Sequence, residues 1–425
     1  MHPSSHIKPM SNAIIVINNT HVDNPETNGF KVGAVPFSFE MASLFMKHER
    51  FLGFLLYERN ESLVNPKVCH VSFSNTDSIK VSFNFNMEPA KIQKAMHQAI
   101  LKLKEKSASQ SHAIVYYQTD TLLMYHPPSI PCCVTHHGPF VQGFLKNYSE
   151  HEACVAFESK SKMEHLYRMQ NKGIEILKKE EYFVLQHSYL QREHLLDNGI
   201  NPELIKIITS PVMIKEKCSQ TYLDKKISDF INVESDEVLL ISTVARLDYF
   251  KNVEFLIDVA QDLLKAKAKI KVFIAGDEDE KKSRRERLEE MIPDELKSFF
   301  HISKKLTHQE LFNVFHKIKN KAIFVFTSRY ETLGITPIEA SLSGVCTLVP
   351  DSRLVEVSNH FPETHRFPYC QQSLKKMLLS FIENKTYSDS DALMMVKNHF
   401  SHSNFESSLI DAWNYMTTSF LKQAR

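Results

Sequence analysis

Short apolar runs of strand length alternate with stretches whose apolar residues recur every three or four positions, and this alternation occurs twice along the chain. In the first half, residues 13–18, 51–57, 113–117, 131–136, 153–157 and 182–186 read as strands, and residues 37–47 as the first of the helices between them. The pattern restarts with a strand at 238–244, a helix at 253–265 and a strand at 270–275. That helix carries Val253, Leu256, Ile257, Ala260, Leu263 and Leu264 on one face. Helices at 284–291 and 308–315, a strand at 323–326 and helices at 337–343, 392–399 and 404–421 complete the series. Strands alternating with helices predict parallel, doubly wound sheets. The chain therefore reads as two α/β domains, 1–215 and 216–403, whose junction lies in the polar, lysine-rich stretch 210–236, with 404–425 as a terminal helix.

Two loops of the second half carry the candidate chemistry. After the strand at 238–244 comes Ala245-Arg246-Leu247-Asp248-Tyr249-Phe250-Lys251-Asn252, which sets two cations just before a helix. A helix N-terminus repels cations mildly unless an anion shares the site, so the placement predicts a phosphate there. After the strand at 323–326, a loop carries Glu331, Leu333 and Gly334, and Thr336-Pro337 opens a helix containing Glu339. Backbone N–H groups around Gly334, Ile335 and Thr336 would face an anion. The two glutamates supply acceptors for sugar hydroxyls.

Arg246 and Lys251 separated by four residues, followed by Glu331 and Glu339 separated by seven, resemble the donor-site signature of glycosyltransferase family 4. That family comprises retaining nucleotide-sugar transferases, the glycosyl transferases group 1. The resemblance covers residues 237–348. It implies a GT-B fold, with two Rossmann-like domains facing a central cleft and the terminal helix 404–425 returning to the first domain. It further implies that Arg246 and Lys251 hold the donor diphosphate, that Glu331 holds hydroxyls of the donor sugar, that Glu339 holds the ribose, and that Gly334 and Ile335 offer backbone N–H groups, with Leu333 beside them. Uridine diphosphate is the implied nucleotide, and neither a metal nor another cofactor is implied. Thr332-Leu333 stands where the family usually has a small residue and phenylalanine, and a glycine pair common after the second glutamate is missing. In the first domain, His137 of Pro131-Cys132-Cys133-Val134-Thr135-His136-His137-Gly138 aligns with a catalytic histidine that faces the sugar, and Gly33 with a glycine turn near the donor phosphates. The implied chemistry is departure of the diphosphate from an oxocarbenium-like state, with the leaving phosphate taking the acceptor's proton on the same face. A second carboxylate, of the kind glycosidases pair with the first, is then unnecessary.

Each of these residues also has a plainer reading. Thr336-Pro337-Ile338-Glu339 matches a capping box, in which Glu339 would bond the cap residue's own N–H. Arg246 has an ordinary ion-pair partner in Asp248, and a lone histidine at a strand end is commonly structural. Asp389-Ser390-Asp391 and Asp277-Glu278-Asp279 read as helix caps or solvated loop residues rather than metal ligands. Residues 281–290 read as a solvated helix face.

Composition narrows the field further. The 425 residues carry a net charge of +1, with 43% hydrophobic and 24% charged residues, which fits a soluble globular protein and gives no reason to expect nucleic acid. Seven cysteines form neither a paired framework nor metal spacing, and despite 21 histidines there is no HExxH or CxxC pattern. The first twelve residues lack a signal-peptide core and no stretch is long enough to span a bilayer. The expectation is a cytoplasmic enzyme, at most peripheral to the inner face of a membrane, acting on a nucleotide-sugar donor and a carbohydrate, lipid-linked or small-molecule acceptor. The rival is a non-catalytic sugar-nucleotide-binding or regulatory protein that keeps the donor cleft, which would bind without turnover. A phosphorylase of the same fold would need a lysine-bound pyridoxal phosphate.

Overall fold

The computed structural model describes residues 10–22, 34–105, 112–212, 223–277, 282–385 and 390–423. Its contacts divide the chain into two compact units, one of residues 1–146, 160–211 and 402–425, the other of residues 147–159 and 212–401. Position 215, expected to end the first domain, lies outside the described residues, as do Gly33, Glu278, Asp279 and Asp389.

The first unit holds eight strands: β1 (Asn12–Asn18), β2 (Phe51–Arg59), β3 (Lys67–Phe73), β4 (Thr76–Phe83), β5 (Ala113–Tyr117), β6 (Cys132–Val134), β7 (Phe183–Gln186) and β8 (Ile205–Ile207). Their order is β3-β4-β2-β1-β5-β6-β7-β8, parallel throughout except that β3 runs antiparallel to β4. β1 is apolar without alternation because both of its faces are covered. Ile14 and Val16 pack with Ile92, Met96, Ala99 and Leu103 of helix Pro89–Lys104. Ala13, Ile15 and Ile17 pack with Phe37, Met41 and Phe45 of helix Ala34–Lys47 and with Phe405, Leu409, Trp413 and Met416 of helix His402–Gln423. The indole N–H of Trp413 donates to the Ser11 carbonyl at 2.9 Å, and its ring meets Phe45 at 4.5 Å.

Two local expectations give way here. Residues 153–157 are not a strand: helix Glu150–Ala156 takes up the first four with Phe157 as its C-cap, started by a reciprocal capping box between Ser149 and Glu152, and that start signal outweighs a five-residue apolar run. The β3–β4 hairpin went unanticipated, because β3 is an edge strand whose apolar residues are interrupted by Cys69, His70 and Ser72. Its tight turn is Ser74-Asn75, both at positive φ (49° and 55°), the geometry of a type I′ connection.

The second unit's sheet holds β9 (Val238–Thr243), β10 (Ile270–Ala275), β11 (Phe300–Ser303), β12 (Ala322–Val325), β13 (Cys346–Asp351) and β14 (Arg366–Pro368). All pairs are parallel and the order is β11-β10-β9-β12-β13-β14. Counted within the unit this is 3-2-1-4-5-6, the doubly wound dinucleotide-binding order, whose direction reverses between β9 and β12. Ligands of such sheets bind beyond the carboxyl ends of the strands at that reversal, which here means the loops after β9 and β12. Helix Val253–Lys265 covers one face through Leu256, Ile257, Ala260 and Leu263, and helices His308–Ile318 and Ile335–Leu342 cover the other through Leu311, Phe315 and Ile338.

Trp413 is the one tryptophan in the chain and is fully buried. Its emission therefore reports on the first unit, and Trp413→Phe, which keeps most of the apolar volume, is expected to lower stability less than Trp413→Ala, for which about 3–5 kcal/mol is expected. Urea titration followed by far-ultraviolet dichroism checks the ranking.

Candidate functional site

The two loops at the sheet reversal meet through one ion pair. The Lys251 ammonium contacts a Glu331 carboxylate oxygen, with side chains 19% and 15% exposed. Lys251 also lies 5.7 Å from the centre of the Phe326 ring. Arg246, by contrast, is 57% exposed and bonds through Nε to Asp248 at 3.1 Å, so the ordinary partner is present. The backbone holds both loops in place. Arg329 N–H donates to the Phe250 carbonyl at 2.8 Å and Thr327 Oγ1 to the Lys251 carbonyl at 2.9 Å. Asn252, in the left-handed region at φ 46°, donates to Tyr369 Oη at 2.7 Å, which in turn donates to the Thr327 carbonyl at 2.6 Å.

Helix Ile335–Leu342 begins two residues earlier than expected, with Gly334 as its cap, no side-chain cap bond and Pro337 in the first turn, where a missing N–H breaks no helical bond. Gly334 sits at φ 87°, and a Cβ there would lie 3.0 Å from Val357 Cβ, so both conformation and space require glycine. The capping-box reading of Glu339 fails, because this residue is the fifth of the helix and its carboxylate accepts from His308 Nε2 at 2.9 Å instead. Burial raises the Glu339 carboxyl above its ordinary value, and the His308 bond opposes that rise. Leu333 is buried in the core of this unit, which leaves its backbone as the part free to serve a ligand.

Three supports of these loops were not readable from spacing. Asp277, expected as a solvated loop residue, is buried at φ 57°, and its Oδ1 accepts from Leu247 N–H at 3.1 Å, inside the loop that carries Arg246. Residues 147–159 belong to the second unit: Tyr148 Oη donates to the Arg329 carbonyl at 2.9 Å, and Tyr249 Oη donates to Glu152 Oε1 at 2.9 Å. Arg329 closes the set by donating from Nη1 to the Tyr249 carbonyl at 2.9 Å and lying 4.2 Å over the Tyr249 ring. His308 is the third support. A helix-starting Thr307 with Glu310 explains its place at the head of its helix, but nothing local foretells Glu339 as its partner.

In the first unit, His137 follows β6 and shares a hydrogen bond with His187 at 3.2 Å, Nδ1 to Nε2. Phe37 meets both rings edge-on at 5.3 and 5.7 Å. Burial, with His187 and His136 close by, drives the His137 pKa well below its usual value, so the ring is neutral at neutral pH. His136 turns away to Asp120 at 3.2 Å and stacks on Phe140 at 3.9 Å. The structure thus brings Lys251, Glu331 and Gly334 together, sets Arg246 on the same loop as Lys251, joins Glu339 to His308, and holds His137 in the other unit.

A cation pair beside two uncapped helix starts can hold a multiply charged anion, while Glu331 and Glu339 can accept from hydroxyl groups. Among the described residues no group of three or more His, Cys, Asp or Glu is placed to hold a metal, and no helix is long and apolar enough to cross a membrane.

Residues 224–395 match the model of the family described as Glycosyl transferases group 1. No curated protein sequence matches the chain. Among solved structures, it is similar to a sucrose-phosphate synthase from Thermosynechococcus elongatus at 13% identity and TM-score 0.64, over 96% of this chain and 100% of that one. An α,α-trehalose-phosphate synthase (UDP-forming) from Burkholderia xenovorans, in complex with glucose-6-phosphate, aligns at 9% identity and TM-score 0.61 over 97% and 99%. The HepE protein of Anabaena, in complex with UDP and glucose, aligns at 13% identity and TM-score 0.60, again over 97% and 99%. The chain has the GT-B fold, as expected, with an eight-stranded and a six-stranded Rossmann-like sheet.

Because folding raises the Glu339 carboxyl above 4.5, the unfolded chain gives up this proton first. The group's contribution to stability is largest below about 4.5 and is lost as pH rises. Glu339→Gln is therefore expected to leave the unliganded melting temperature at pH 7 unchanged or higher, whereas loss of a cap would cost about 1 kcal/mol. Burial holds His126, His187 and His194 at about 4, so protons taken up by the unfolded chain below 6.5 are refused by the folded unit. Stability of the first unit is expected to fall between pH 6.5 and 4, and His187→Gln to flatten that slope. Trp413 emission in urea titrations at pH 7, 6 and 5 measures it.

Proposed function

We propose that the protein is a retaining glycosyltransferase that moves a hexosyl group from a UDP-sugar to an acceptor hydroxyl. The observation that carries this reading is the Lys251–Glu331 pair at the sheet reversal, with the exposed Arg246 on the same loop. All of the second-unit site residues fall inside the matched stretch 224–395, which supports sugar transfer. UDP as the nucleotide carrier is supported by the Anabaena protein, in complex with UDP and glucose, and by the UDP-forming Burkholderia xenovorans synthase, whose complex with glucose-6-phosphate makes that sugar phosphate the first acceptor to test.

In this reading, each loop residue acts at the step where charge moves. Before the donor arrives, Lys251 and Glu331 neutralise each other, which keeps two partly buried charges tolerable. The diphosphate then takes Lys251 and Arg246, and the start of helix Ile335–Leu342 adds the N–H groups of Ile335 and Thr336. Glu331, released from Lys251, accepts from hydroxyls of the donor sugar, and Glu339 accepts from the ribose. As the bond to the anomeric carbon breaks, negative charge grows on the leaving phosphate, where fixed cations stabilise the transition state more than the ground state. The departing phosphate oxygen takes the acceptor proton on the face it leaves, which gives retention. Neutral His137 is suited to donate or accept a hydrogen bond at the sugar rather than to carry charge. The two cations fill the part a divalent ion would otherwise play, so no metal is needed.

Release of UDP from UDP-glucose with glucose-6-phosphate as acceptor is expected to survive a chelator. Lys251→Ala is expected to lower kcat/KM by roughly 10²-fold or more, and Arg246→Ala by a smaller factor, in line with losses seen when a charge-stabilising group is removed. Proton NMR of the product should find the donor's own anomeric configuration. Full activity in Lys251→Ala, or an inverted product, contradicts the reading.

A further inference from the structure

Glu339 is a buried carboxylate, and a buried charge needs a partner. Among the described residues His308 is the side chain that reaches it, through Nε2 to Oε1 at 2.9 Å. Phe312, one helical turn on and buried, meets the imidazole edge-on at 4.6 Å between ring centres. The His308 side chain is 37% exposed, and its Nε2 is committed to one oxygen of Glu339.

An ionised carboxylate has two oxygens and capacity for about four hydrogen bonds. With Oε1 taken by His308, Oε2 is the oxygen available to a ligand. We propose that His308 is a positioning residue for nucleoside recognition: it fixes the rotation of the Glu339 carboxylate so that Oε2 accepts from the ribose diol of the nucleotide. The inference rests on the donor reading of this site and adds to it the residue that sets the diol preference. His308 touches no ligand in this account. Its effect passes through Glu339, so it should govern discrimination between nucleotides with and without ribose hydroxyls rather than affinity for phosphate.

The test is calorimetric titration of the full chain with UDP and with 2′,3′-dideoxy-UDP. The parent, His308→Ala, Glu339→Gln and the double variant are compared, together with His308→Gln, whose side-chain amide can still donate. The parent is expected to favour UDP by roughly tenfold or more, the size of a lost hydrogen bond to a charged group. His308→Ala should bring that ratio to within about threefold of unity, His308→Gln should restore part of it, and the double variant should be no worse than Glu339→Gln alone, while affinity for the dideoxy nucleotide stays near the parent's throughout. A parent-like ratio in His308→Ala overturns the proposal, as does an equal loss of affinity for both nucleotides. A parent that binds no nucleoside diphosphate overturns the donor reading together with it, so the parent titration distinguishes the two failures.

Discussion

The contact between Lys251 and Glu331 is the interaction around which the second unit's working surface is arranged. It joins the loop after β9 to the loop after β12 at the one place in the sheet where the winding direction reverses. Two charges with side chains only 19% and 15% exposed are expensive to keep apart from water singly, so each needs the other while no ligand is present. A ligand that brings its own negative charge and its own hydroxyl donors can replace both halves of the pair at once. This is the physical sense in which an ion pair can act as an empty binding site.

Much of the neighbouring structure serves to keep that pair in place. Asp277 holds the Arg246 loop from beneath through Leu247, Tyr369 and Thr327 hold its exit, and Arg329 clamps it from the second loop. Residues 147–159 reach the same loop through Glu152 and Phe157, the latter meeting Phe250 at 5.3 Å, and reach the second loop through Tyr148. Such support matters because electrostatic stabilisation depends on dipoles and charges that need not reorganise during the reaction. Gly334 contributes by absence, since any side chain there would press on Val357 and displace the turn that brings Glu331 and helix Ile335–Leu342 together.

How much of this was legible in the sequence depended on the range of the interaction. Helix Val253–Lys265 and strand Ile270–Ala275 were readable to the residue, because their apolar periodicity is strong and their flanks are polar. The candidate residues Arg246, Lys251, Glu331 and Gly334 were readable as loop residues after apolar strands, and the doubly wound α/β class followed from the repeated alternation. What failed was local competition and remote pairing. The Ser149–Glu152 capping box overrode an apolar run at 153–157, and Gly334 started its helix before Thr336-Pro337. The partnership of His308 with Glu339 spans 31 positions, and that of Tyr249 with Glu152 spans 97, with no pattern to announce either. Both arise from tertiary packing, which periodicity does not encode.

The most direct test of the proposed donor role of the ion pair is the affinity of Glu331→Gln for UDP, which has the diphosphate but lacks the transferred sugar. If Glu331 is the counter-ion that phosphate must displace, removing its charge frees Lys251. Glu331→Gln should then bind UDP at least as tightly as the parent while losing turnover of UDP-glucose. UDP affinity that falls in Glu331→Gln as far as it falls in Lys251→Ala would mean that the pair serves only to hold the fold of the loops, and would contradict the account.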